Sequence, residues 1–147
     1  MERSQRAENL FRRGYNCAQS VLLAFADVAG VPADILESVS STFGGGMGRL
    51  GEVCGAVSAM FMLLGLVRKV DTTDRAAKAA LYAEERELAG KFRERAGSII
   101  CRELLTSGVK EDIGDKPRCQ YLVGLAASLI EEHLKPESGV FKAKKED

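Results

Sequence analysis

Val53-Cys54-Gly55-Ala56-Val57-Ser58-Ala59-Met60-Phe61-Met62-Leu63-Leu64-Gly65-Leu66-Val67 is a run of 15 residues without a charge, closed by Glu52 on one side and Arg68 on the other. A membrane span needs about 20 apolar residues. The run is short for that and predicts a buried central helix, drawn at 52–69. Directly before it lies Phe43-Gly44-Gly45-Gly46-Met47-Gly48-Arg49-Leu50-Gly51, five glycines in nine residues, which regular helix does not tolerate.

The flanking sequence reads as helix almost throughout. Residues 3–13 carry Ala7, Leu10 and Phe11 on one side and end at Gly14. Asn16 is a favoured N-cap and opens a segment drawn from 16 to 30 through Val21, Leu22, Phe25 and Val28. Pro32 suits the first turn of a short helix at 33–41. Asp71-Thr72-Thr73-Asp74 offers caps for a charge-laced helix at 75–95, with Leu81, Leu88 and Phe92 as its inward stripe. Helices at 98–105 and 116–133 follow, the last holding Leu122, Val123, Leu125, Ala126, Leu129 and Ile130. No stretch shows sustained period-2 alternation, so no strand is predicted. The expectation is an all-α, compact bundle of six or seven helices, with a glycine-rich loop before the central apolar helix. It forms a single domain over 1–134, followed by a frayed tail at 135–147.

Composition narrows the function classes. Lys+Arg and Asp+Glu are equal at 21 each, so no general field attracts nucleic acid or an anionic membrane. With 6 Phe, 3 Tyr and no Trp, stacking platforms for single strands are not expected. The charged opening Met1-Glu2-Arg3-Ser4-Gln5-Arg6 leads into no apolar signal region. The cytoplasm is therefore the expected compartment, where structural disulfides are rare.

The candidate chemistry rests on four cysteines, Cys17, Cys54, Cys101 and Cys119, each a few residues past a helix-start signal. Unpaired N–H groups and the positive end of the helix dipole favour a thiolate there, and the thiolate is the form that attacks and ligates. The competing reading is that they only pack, since free cysteine behaves as a small buried hydrophobe. No Cys-x-x-Cys occurs, which removes the paired-ligand pattern of structural zinc and the thioredoxin-like pattern. Three outcomes stay open: disulfide-forming pairs, an iron–sulfur cluster held by three or four thiolates, or a mononuclear metal site. Gly45, Gly46, Gly48 and Gly51 are candidate cofactor-binding positions, because glycine backbone forms an anion-favouring concavity. A phosphate site is the weaker alternative there, lacking a Gly-Lys-Ser/Thr ending or a preceding strand.

Gly14-Tyr15-Asn16-Cys17-Ala18, Gly44-Gly45-Gly46-Met47-Gly48 and Gly51-Glu52-Val53-Cys54-Gly55-Ala56 together resemble the C-GCAxxG-C-C family. Cys101 and Cys119 fit its third and fourth cysteine positions, and the similarity runs from about Leu10 to Leu134. The resemblance implies redox work by the four cysteines, with the substrate unassigned. One position departs: the family's Cys-Gly-Ala-x-x-Gly ends here in Ala59, which keeps that helix face small.

Other side chains carry less. His133 is the only histidine and reads as an exposed residue suited to a helix C-terminus. Glu52, Glu84, Glu85, Glu87 and Glu103 lack the Glu-x-x-His of di-iron sites and read as solvated or capping residues. Arg102 and Arg118, each beside a cysteine, are either thiolate stabilisers or ordinary surface arginines. The expected function is a redox-active protein using the four cysteines, by thiol/disulfide cycling or as ligands of an iron–sulfur cluster or other metal. Cys54 is the expected most reactive member, with Cys17 its partner. The expected partner is a redox protein, not nucleic acid or a membrane, and bundles of this kind often pair as homodimers. The alternative is a helical ligand-binding or adaptor domain whose cysteines only pack.

Overall fold

The uncharged run folds as the helix it predicts, beginning three residues later. A computed structural model describes residues 1–135, so the tail from Pro136 onward lies outside the described residues. The helices are α1 (Arg3–Arg12), α2 (Cys17–Leu23), α3 (Ala33–Ser40), α4 (Gly55–Arg68), α5 (Arg75–Ala96), α6 (Cys101–Ser107) and α7 (Arg118–Leu134). They make an all-α fold of seven helices among the described residues. None is long and apolar enough to cross a membrane.

α4 carries the centre of the core. Ala56, Val57, Ala59, Met60, Leu63 and Leu64 are buried along it, and it packs against α2, α5 and α7. Each large apolar side chain buried this way contributes about 1.5–3 kcal/mol. α1 lies along α7, and α2 joins α1, α3, α4 and α7 into one continuous core with Phe25 and Phe92 at 0% exposure. Ala59 is fully buried in this contact, so the small face expected at that departure is retained.

Three boundaries differ from the expectations, each for a long-range reason. α2 stops at Leu23 rather than running to 30, and Phe25 and Ala26 donate instead to Leu22 and Leu23, three residues back. The Ala24 carbonyl accepts from Arg3 (2.9 Å) and Arg6 (3.2 Å), guanidinium groups brought in by α1. α4 and α6 both start late because the residues before them are extended. Val53 and Ile100 form an isolated antiparallel bridge, with the Cys54 N–H donating to the Ile99 carbonyl (2.7 Å) and the Cys101 N–H to that of Glu52 (2.6 Å).

The glycine segment 43–51 is not a right-handed helix. Gly45, Gly46, Met47, Gly48 and Arg49 all have positive φ, between 60° and 69°, giving a left-handed turn. L-residues with a Cβ avoid that conformation, so Met47 and Arg49 hold it at a cost that the surrounding contacts offset.

His133 lies in the last turn of α7 as expected, but it is not exposed. Its side chain is 11% exposed and its Nε2 lies 2.5 Å from Glu84, with Glu87 3.7 Å from Nδ1. Arg68 donates through Nε to both oxygens of Glu84 (2.9 and 3.1 Å), so Glu84 belongs to a half-buried ion network rather than a solvated face. The Arg68 guanidinium holds the Glu84 carboxyl below its ordinary value of 4.5, against the upward push of partial burial and with help from His133. A carboxyl with a lowered folded-state pKa stabilises the fold above its unfolded value, and that contribution is lost as pH falls through the folded one. Glu84→Gln is therefore expected to cost about 1 kcal/mol or less at neutral pH and progressively less below pH 4.5. Urea melts across this range check it, and a pH-independent difference from wild type would contradict it.

Candidate functional site

Four helix starts meet at one cavity. Cys17 is the first residue of α2, Cys54 the N-cap of α4, Cys101 the first residue of α6 and Cys119 the second of α7. All four thiols are free and all four line a cavity of about 360 Å³. Leu104, Leu105 and Leu122 supply its apolar wall, and Arg49 and Arg118 its cationic groups. A second, more open groove of about 480 Å³ reaches Cys17 and Cys119 from the side of Asn16 and Gly48.

Local sequence positions each thiol. Asn16 forms a reciprocal capping box: its side-chain oxygen accepts from the Gln19 N–H (2.8 Å), and its own N–H donates to Gln19 Oε1 (3.1 Å). Asn16 Nδ2 also donates to the Ser41 carbonyl (3.0 Å), tying the Cys17 end of α2 to the chain entering the glycine segment. A Cβ on Gly44 would lie 2.7 Å from Asn16 Cβ, so only glycine admits this side chain. A Cβ on Gly55 would lie 2.5 Å from the Cys17 sulfur and 2.8 Å from the Phe43 carbonyl oxygen. The Cys17 thiol therefore rests on bare backbone beside Cys54. Cys101 is seated the same way, its Cβ lying 2.6 Å from where a Gly46 Cβ would be. The Val53–Ile100 bridge supplies the remaining link. Cys54 and Cys101 each follow a bridged residue by one, so strand alternation turns both toward the opposite face from Val53 and Ile100.

The candidate glycines do different jobs. Gly45 and Gly51 line the cavity, Gly46 is buried behind Cys101, and Gly48 lines only the outer groove. Arg102 turns away, donating to the Gly51 carbonyl (3.1 Å) and pairing with Glu52 (3.3 Å) on the surface. Arg118 turns inward and favours the ionised forms of Cys101 and Cys119. Sequence alone did not separate these two arginines, since each simply neighbours a cysteine. Arg49 was not singled out there, although its place within the glycine run was the available signal.

Electrostatics bear on one expectation. Burial pushes the Cys54 thiol up from 9.0 to about 12, reinforced by Cys17 and opposed by the N–H groups of Ala56 and Val57. The helix start does act, but desolvation outweighs it, so burial works against the reactivity expected of Cys54. Burial also raises Cys101 and Cys119, with Cys17 the next cause in each case. Among the described residues no three Cys, His, Asp or Glu side chains are grouped closely enough to hold one metal ion.

A helical fold with four cysteines gathered on one cavity defines the class of protein. The chain belongs to the family described as "Putative redox-active protein (C_GCAxxG_C_C)", which matches it over residues 15–133. The comparisons found no match to a curated protein or to a solved structure.

Two outcomes follow from the packing. With iodoacetamide at neutral pH, Cys54 is expected to alkylate more slowly than Cys17, Cys101 and Cys119 and to catch up only on unfolding. Peptide mass spectrometry resolves the four rates, and a Cys54 that reacts as fast as the others would refute the burial argument. Gly55→Ala should destabilise the fold by about 1–3 kcal/mol, the usual cost of overpacking. A denaturation midpoint equal to wild type would show that Cys17 does not rest on that backbone.

Proposed function

We propose that this chain is a thiol-based redox protein that cycles between dithiol and disulfide forms, with Cys17 as the exchanging cysteine. The observation that carries the reading is the arrangement of the four thiols. All line one cavity, and Cys17 rests on the bare backbone of Gly55, at the first turn of the helix that Cys54 caps. Cys17 and Cys119 face the open groove as well, where an external disulfide has access. Cys54 and Cys101, joined by the backbone bridge, line the cavity but not this groove, and serve as internal partners.

In the cycle, the Cys17 thiolate attacks a sulfur of the external disulfide, and a neighbouring thiolate then attacks Cys17. The protein gives up two electrons and two protons and keeps one internal disulfide. Arg118 favours the thiolates of Cys101 and Cys119 against their burial. The cycle requires a reducing compartment, for which we take the cytoplasm, and a redox protein that restores the dithiol. Pairing as a homodimer belongs to the same proposal.

A second reading has its own support. Exchange needs two cysteines, whereas four thiols from four helix starts surround this cavity, a donor set that suits an iron–sulfur cluster. Cys17, Cys54, Cys101 and Cys119 would hold it, and it would supply one-electron transfer. Iron, sulfide and visible absorbance in anaerobically purified protein favour that reading; a colourless, metal-free sample favours the dithiol.

Diamide treatment of the reduced protein tests the dithiol reading by thiol counting. Wild type is expected to lose thiols in pairs without forming intermolecular species. Cys17→Ser should oxidise about tenfold more slowly or not at all, since an internal exchange loses its attacking thiolate. Four thiols surviving in wild type would overturn the reading in favour of cysteines that only pack. Wild-type oxidation rates in Cys17→Ser would overturn the role given to Cys17.

A further inference from the structure

The cation beside the thiols is only partly paired by them. Nε of Arg118 is buried and has no hydrogen-bond partner, the one such side-chain nitrogen or oxygen identified among the described residues, while the rest of the guanidinium bears on Cys119 by hydrogen bonding and charge. Buried donors are almost always satisfied, and an orphaned one on a charged group is costly. Arg118 lines the cavity, and so does Arg49. Arg49 is delivered by the left-handed turn, with φ at 67°. Its stem lies against Gly45, where a Cβ would come within 2.8 Å of Arg49 Cγ. No carboxylate lines the cavity among the described residues. Arg102, by contrast, already has its partners in Gly51 and Glu52.

Two guanidinium groups without a carboxylate suit an anion, and guanidinium matches a carboxylate in particular. The rest of the wall is apolar: Leu104 and Leu122 are 2% and 3% exposed, and Leu105 stands at the rim, 49% exposed. A bare inorganic oxyanion gains nothing from leucines, whereas an organic anion does. The volume of about 360 Å³ falls in the range of small-molecule sites, about 300–1,000 Å³.

Resting on the dithiol reading above, we infer that the cavity takes a low-molecular-weight organic disulfide bearing a carboxylate. Its carboxylate is held by Arg118 and Arg49, and its carbon skeleton lies against the leucines. This places a substrate sulfur among the four thiols. The Cys17 thiolate attacks that sulfur; a Cys17–sulfur bond forms, the substrate S–S bond breaks, and the released thiolate takes a proton from water. A neighbouring thiolate then attacks Cys17, closing the protein disulfide and releasing the second small thiol, which is likewise protonated. Two electrons pass from the protein dithiol to the substrate disulfide, leaving two small thiols.

The test compares two disulfides of similar size, dianionic dithiodipropionate and neutral hydroxyethyl disulfide, as oxidants of the fully reduced protein. Thiol loss is followed by rapid alkylation and mass spectrometry. The quantity read is the ratio of the two rate constants, which cancels any change in thiolate reactivity. Arg118→Gln is expected to lower the anionic-to-neutral ratio about tenfold, the size of one lost hydrogen bond to a charged group. Arg49→Gln should lower it by a smaller factor, and added salt should lower it in wild type. An unchanged ratio in the folded variants together with a salt-independent wild-type ratio would overturn the inference. If Arg118→Gln does not fold, Arg49→Gln and the salt series decide. Oxidation by neither reagent would overturn the dithiol reading itself; oxidation by both with an unchanged ratio would overturn only the carboxylate site.

Discussion

The bare backbone at Gly46 and Gly55 is the constraint on which the site depends. A side chain at either position would occupy space already filled by Cys101 or Cys17, at separations no pair of carbon or sulfur atoms tolerates. Without a Cβ there, the starts of α2 and α6 come down onto the glycine segment and onto the first turn of α4. The left-handed turn at 45–49 follows from the same closeness, because it reverses the chain tightly enough for Gly51 and Glu52 to donate back to Gly45 and Gly46. The strain at Met47 and Arg49 is held by this hydrogen bonding, and the turn in turn carries Arg49 to the cavity. Backbone strain kept in place by its surroundings is a common property of functional sites.

The same packing sets the chemistry by opposing two effects. A helix start favours the thiolate, and burial disfavours it. At Cys54 burial wins clearly, because the residue is part of the hydrophobic core as well as of the cavity. At Cys101 and Cys119 Arg118 works against burial, so these thiols are raised with a cation at hand. The cavity is therefore graded, from the buried thiol of Cys54 to the part-exposed thiols of Cys17, Cys101 and Cys119. Such grading suits stepwise exchange, in which an accessible cysteine reacts first and an inner one completes the disulfide.

Much of this was legible in the sequence. The uncharged run 53–67 announced the central helix, and the glycine density of 43–51 announced a break before it. The placement of the cysteines just past Asn16, Gly51, Ser98 and Pro117 put them near helix starts, and the fold has them there. What escaped was set by residues distant in sequence. The Val53–Ile100 bridge is too short to leave an alternating pattern. α2 ends early because Arg3 and Arg6 reach the Ala24 carbonyl. His133 looked exposed, yet Glu84 and Glu87 of α5 face it, and Arg68 of α4 pairs with Glu84 in turn. Arg102 and Arg118 differ only in which side of their helix faces the cavity, and single-residue adjacency does not carry that information.

The central claim is that Cys17 is the exchanging cysteine, and the order in which disulfides form tests it most directly. Reduced protein is oxidised slowly, quenched at intervals with acid and alkylating agent, and digested without reduction to identify linked peptides. The account predicts that the first internal disulfide contains Cys17 in nearly every molecule. A first disulfide linking Cys101 to Cys119, or Cys54 to either of them, would contradict it.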